Sequence, residues 1–340
     1  MAMGRRTINR GGSEKMSNIL LLGAGFSRNW GGWLASEVRS DLAMRIEGQD
    51  RFLDDLVDRM PDFELSLAQI QYDCIVNPTS AVAVNRLRLF QSAIASTFAE
   101  MNNTLAKRNF EFCNDAIYSI SSYLTKFDAI FSLNQDLLME RHYLRPNNIL
   151  TRSQGKVPGG LMPGLEMIPT PHYHDDDLPL HLTWRPTSEP FALATDHQPY
   201  FKLHGSTNWL SADGRQLMGM GGNKLPTIKM YPILDWYTKI FLEKLSTPNA
   251  RLTVIGYGFR DQHVNAMIAD AWEKNQFPMM VIGPEGRNIL RKTNPSYGGA
   301  IPGPSGPLEL IRSQDSTRPL SETFGGRDPA EHGKLLRFLR

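Results

Sequence analysis

Four short apolar runs in this chain stop abruptly in a glycine or a hydrogen-bonding side chain. Asn18–Leu22 ends at Gly23, Phe127–Leu133 at Asn134, Tyr200–Leu203 at His204 and Leu252–Ile255 at Gly256; a fifth, Pro278–Ile282, ends at Gly283. Runs of this length suit strands, and their continuous apolar character requires cover on both faces, as in a parallel sheet flanked by helices. The stretches between them carry helical periods; Leu34, Val38, Leu42 and Ile46, for instance, recur every four positions. Strand alternating with helix implies an α/β chain, a Rossmann-like, mainly parallel sheet with crossover helices. Such sheets bind ligands at the carboxyl ends of their strands, where Gly23, Asn134, His204 and Gly256 all fall.

The rest of the chain sorts around this framework. Residues 1–15 are basic and contain glycine without an apolar period, which predicts a disordered tail. One domain is expected over residues 16–283. Only helical periods occur over about 51–124, which predicts a helical insertion, and Asp136 is placed to cap a short helix reaching His142. Proline-rich sequence over about 145–199 predicts an irregular excursion with one short hairpin. "ADG" at Ala212–Gly214 predicts a turn and "GMGGN" after it a flexible loop. Ile233–Leu245 has a helical pattern, and "GYGFRDQHVNAMIADAW" is a glycine turn leading into a helix whose cap is Asp261. Residues 284–340 begin rich in proline, glycine and serine, then offer a short strand and a terminal helix from about Asp328 that docks back.

Composition excludes several classes. In 340 residues, 41% hydrophobic and 21% charged, the balance is that of an ordinary globular protein. A net charge of +2 gives no bulk electrostatic case for nucleic-acid binding. Cys74 and Cys113 form neither a disulfide framework nor a Cys-x-x-Cys pair, which suits a reducing cytoplasm. The run "NILLLGAGF" falls short of the roughly 18 residues a membrane helix needs, so a soluble cytoplasmic protein is expected.

The strand ends carry the candidate chemistry. In "GAGFS" the Gly-x-Gly after a strand either brings backbone N–H groups to a phosphate or simply makes a tight turn. Arg28 stands where a dinucleotide fingerprint has its third glycine, which argues against a hydride-transferring dehydrogenase. The Asn134 amide can hold a ribose hydroxyl or orient a water, or it can serve a turn. Asp136 is read first as a helix cap and second as a ribose contact, and Gln135 as a residue behind the site or an exposed one. His204, one of eight histidines, can take a proton near neutral pH. "GYGF" suits a ribose or adenine edge as well as a plain turn, and His263 either lines the site or packs its helix. His172 and His174 with Asp175, Asp176 and Asp177 lack a distinctive ligand spacing, so they are read as an acidic loop and no metal is expected.

Taken in order, "GAGFS", "SLNQD", "FKLHGS" and "GYGFRDQHVN" resemble the sirtuin-like superfamily, specifically its bacterial branch of NAD-hydrolysing defence domains. The resemblance runs from Gly23 to Asn265. It implies a diphosphate cradle at Gly23, Ala24, Gly25, Phe26 and Ser27, with further NAD contacts at Asp136, Gly256, Tyr257 and Gly258. It implies catalytic roles for Asn134 and His204. The chain lacks the four zinc cysteines of the protein-deacylating sirtuins, and "SRNWGG" replaces their Gly-Ile-Pro segment, so the implied activity is NAD+ hydrolysis to nicotinamide and ADP-ribose. By the same resemblance the chain is an anti-phage, abortive-infection effector. Its implied setting is a homo-oligomer held silent by a separate partner such as a translocase ATPase or a short Argonaute, with the 51–124 helices as oligomer or lid surface. Two alternatives stay open: a deacylase or ADP-ribosyltransferase using the same cleft, and a module that senses NAD or ADP-ribose without turnover.

Overall fold

The computed structural model describes residues 16–60, 63–144, 162–168, 183–194, 197–212, 214, 216–218, 224–291 and 307–340. The readings made for 1–15, for the His172–Asp177 cluster, for "GMGGN" and for most of 145–199 and 284–306 lie outside the described residues. Among the described residues there are ten strands: β1 (Ser17–Leu22), β2 (Ala129–Ser132), β3 (Leu165–Ile168), β4 (Thr183–Pro186), β5 (Tyr200–Lys202), β6 (Gly205–Leu210), β7 (Gln216–Met218), β8 (Ala250–Ile255), β9 (Met279–Ile282) and β10 (Ser313–Ser316).

Six of them form one all-parallel sheet in the order β10-β9-β8-β1-β2-β5. Counted along the chain this is the doubly wound Rossmann order, and its topological switch point lies between β1 and β8. The fold is thus α/β with a helical insertion, as the strand–helix alternation predicts. From Asn18 onward β1 is buried, which explains why it reads as unbroken apolar sequence. Between β1 and β2 run the helices Ala35–Ile46, Arg51–Arg59, Phe63–Val76 and Ala81–Ala106. Asp50 caps the second through the N–H groups of Phe52 and Leu53, and Ser80 caps the long fourth.

The neighbouring strands β2 and β5 are pinned by aromatic packing. Phe131 and Phe201 stack with centroids 4.7 Å apart, and the helix Pro232–Leu245 adds Phe241 at 4.8 Å from Phe131 and Tyr237 at 4.9 Å from Phe201. Each such ring gives about 1.5–3 kcal/mol by leaving water, so the register that puts Asn134 and His204 just past the ends of neighbouring strands rests on core packing.

The C-terminal segment docks back as expected and supplies an edge strand. β10 pairs with β9, and the helix Pro329–Phe338 begins at Asp328, whose carboxylate accepts from the Glu331 N–H at 3.0 Å. Asn18 donates to the Leu339 carbonyl at 3.0 Å, tying that helix to the amino end of β1. Within 145–199 the described antiparallel pair is β3 with β4, in line with the one short hairpin expected there; β6 and β7, after β5, extend it into a second, four-stranded sheet, β3-β4-β6-β7, which the sequence reading does not anticipate. Its β3 and β4 are half-buried, so they carry no continuous apolar signal. No helix among the described residues is long and apolar enough to cross a membrane.

Candidate active site at the carboxyl edge of the parallel sheet

At the switch point the two glycine turns are packed on each other. Gly25 N–H donates to the Gly256 carbonyl at 2.8 Å, and Gly23 N–H to the Ile255 carbonyl at 2.9 Å. A Cβ on Gly256 would lie 2.1 Å from the Phe26 nitrogen, and φ there is +66°. Cβ atoms on Gly23 and Gly25 would come within 2.6 and 2.8 Å of the facing backbone. Close approach of two backbone segments, rather than ligand access alone, therefore explains these glycines. Ala24 and Gly258 are the exposed members of their turns. Phe26 lies in the core against Trp30, and the Tyr257 hydroxyl is held by Asn265 Oδ1 at 3.0 Å. Both are thus left to meet a ligand through backbone alone.

Asn134 ends the next strand and is tied to the first turn. Its Nδ2 donates to the Gly23 carbonyl and to Ser27 Oγ, both at 3.0 Å. Asp136 accepts from the Leu138 N–H at 3.0 Å, just ahead of the short helix Leu138–His142; the cap position is Leu137, without a side-chain cap bond, so Asp136 makes the turn before the helix and is not the cap expected. Gln135 is buried, which removes the exposed alternative.

A residue the motifs do not signal holds this loop in place. Lys202, fully buried on β5, bonds through Nζ to the Asp136 carbonyl and Glu140 Oε1, both at 2.6 Å, and to Ser206 Oγ at 2.7 Å. Burial pushes the Glu140 carboxyl up against the opposing pull of this ammonium. One signal was available: a lysine flanked by Phe201 and Leu203 in an apolar strand has to find a partner if it is buried.

His204 follows β5 and is 2% exposed. Its Nε2 lies 3.0 Å from Nε2 of His263, which sits in the first turn of the helix Gln262–Asn275. Burial first, then the Lys224 ammonium, hold His204 well below the ordinary histidine range; burial also lowers His263. Asp261 stands at the head of that helix, yet its side chain makes no cap bond. This corrects the sequence reading: its carboxylate is taken by Lys224 Nζ at 2.8 Å, and Lys224 also reaches Glu64 at 2.9 Å. Against the cost of burial, Lys224 and then His204 bring Asp261 down to about 2.

Ligand-type atoms of His204, Asp261 and His263 lie within 4.8 Å of one another. The facing nitrogens are engaged with each other and Lys224 already supplies a cation to Asp261, so the group is read as a hydrogen-bonded charge network. His204, Lys224 and the Asp261–His263 turn come from three separate stretches of chain, which is why the sequence pointed to His204 and His263 as site candidates but not to Lys224, and to Asp261 only as a cap. No protein-family model matches the chain, and no curated protein matches it in sequence.

Proposed function

We propose that the chain hydrolyses NAD+ at the nicotinamide–ribose bond, releasing nicotinamide and ADP-ribose. The observation that carries this reading is the placement of Asn134 and His204 at the ends of neighbouring strands, with the Asn134 amide joined to the glycine turn at the switch point of a Rossmann-order sheet. An amide there can fix the ribose and the attacking water. A histidine kept neutral by burial can take up a proton in the course of the reaction. Nicotinamide is cationic in NAD+ and leaves as a neutral base, so departure needs no acid, and the sugar passes through an oxocarbenium-like state. The motif resemblance extends the reading to a bacterial anti-phage effector that acts as a homo-oligomer under a separate regulatory protein.

The test is chromatography of NAD+ incubated with wild type, Asn134→Asp and His204→Ala. Nicotinamide and ADP-ribose are expected from wild type, with loss of about 100-fold or more in each variant. Nicotinamide appearing with acylated or ADP-ribosylated protein products would move the reading to a transferase or deacylase. A specific observation favours one other reading, a module that binds the nucleotide without turnover: the His204 ring and the Asn134 amide both make hydrogen bonds inside the protein. Binding of NAD+ by an inert wild type, undiminished in His204→Ala, would establish it.

A further inference from the structure

His204 is 2% exposed, and one side of its ring is committed to His263. Nε2 faces Nε2 of His263 at 3.0 Å, and a hydrogen bond to the Leu133 backbone favours the protonated ring, as donation to a carbonyl does. The tautomer that satisfies both contacts carries its proton on Nδ1 and offers Nε2 as acceptor, an assignment made from the hydrogen-bond pattern. His263 then donates from its Nε2, and its own Nδ1 is left as the basic atom of the pair. His263 is also the more exposed of the two rings. The charged groups facing the pair are Asp261, which favours an imidazolium, and Lys224 of the helix Lys224–Met230, which opposes one; Glu64 stands behind Lys224.

We propose that His263 is the proton acceptor of the reaction and that His204 acts through it, the two rings working as one base. The inference rests on the NAD+ hydrolysis reading above. As the water oxygen bonds to C1 of the ribose, the bond from C1 to the nicotinamide nitrogen breaks and its electron pair passes to that nitrogen. The water proton passes to Nδ1 of His263, and the Nε2 proton of His263 passes to Nε2 of His204. The pair then carries a single positive charge beside Asp261 until the proton leaves to solvent. Two rings this close titrate as a unit, with macroscopic steps that belong to the pair. His204 alone, in this arrangement, has no unengaged lone pair to offer a water.

Glutamine at position 263 can still donate to His204 but has no basic nitrogen. For His263→Gln, kcat for nicotinamide release is expected to fall about 100-fold or more with KM moving less than about threefold. The acid limb of the pH profile should shift, and added imidazole should partly restore His263→Ala. Histidine-selective NMR titration supplies a readout that does not depend on turnover. His204 and His263 should titrate as coupled steps in wild type, and His204 should show one simple step in His263→Gln. A kcat that stays within about threefold of wild type, or exceeds it, overturns the proposal, because His263 would then be a bystander or a block on His204. Independent titration of the two rings overturns it too. A wild type inert toward NAD+ overturns the reaction and with it the catalytic role, and coupled titration would then leave only the shared proton standing.

Discussion

Two regions at the same sheet edge are built by opposite means. At the switch point the contacts between the turns after β1 and β8 are backbone to backbone, and the side chains that matter are the absent ones of Gly23, Gly25 and Gly256. At the end of β5 the contacts are between side chains: Lys202 with Glu140, His204 with His263, and Asp261 with Lys224. At Gly23, Gly25 and Gly256 the first region has no room for an added atom, and the second tolerates no lost partner. A short motif can therefore mark a site because two backbone segments must touch there, before any ligand is considered.

The sharpest way to break the first region is Gly256→Ala. The new methyl group would meet the Phe26 nitrogen at 2.1 Å in a backbone conformation that favours glycine. A loss on the order of 4–5 kcal/mol is expected, since the turns would have to part. Denaturant unfolding checks it, and a loss below about 1 kcal/mol would mean that the two turns are not locked together.

Lys202→Met probes the second region. Removing one member of a buried ion pair strands the other, so about 3–5 kcal/mol should be lost, and Lys202→Met with Glu140→Leu should recover much of it. A double variant no better than the single one would show that Lys202 matters through Asp136 and Ser206 instead.

Acid should weaken the β5 region before the glycine turns. His204 and His263 are held below the ordinary histidine value, so folded protein binds fewer protons than unfolded. Their contribution is whole above the unfolded value of about 6.5 and is lost as pH falls below it. His332, also lowered by burial, adds to the same window. Asp261 adds a later loss as pH falls from its ordinary 3.8 toward about 2. Unfolding midpoints measured against pH should slope on this acid side, and less so in a His204→Gln, His263→Gln double variant. An unchanged slope would remove the two rings as its cause.

The smallest effect is expected at Gly258→Ala. A methyl group there has no neighbour nearer than 3.8 Å, so stability should stay within about 0.5 kcal/mol. Weakened NAD+ binding at unchanged stability would place the ligand against that turn, whereas unchanged binding would leave "GYG" as packing alone.

Much of the framework was legible because its signals are local. β1, β2, β5, β8 and β9 lie in mainly apolar runs, and most of their residues are buried. The insertion helices show their period, and Asp328 before Pro329 marks the terminal helix. β3 and β4 were legible only as a hairpin without a position, because half-buried strands mix polar and apolar residues. The helix Lys224–Met230 adjoins a glycine-rich stretch that pointed to a loop. Asp261 looked like a cap because it has a cap's position, and only the approach of Lys224 gives its carboxylate another partner.

Sequence alone determined that this chain builds a parallel sheet with polar groups and glycines at its carboxyl edge, because strand burial and turn geometry depend on neighbours along the chain. Only the tertiary structure decided which groups meet there. Glu64, Lys202, His204, Lys224, Asp261 and His263 acquire their charges and hydrogen bonds from residues far away in sequence. Burial and the field of an opposite charge are properties of the folded space around a group, and no spacing between letters encodes them.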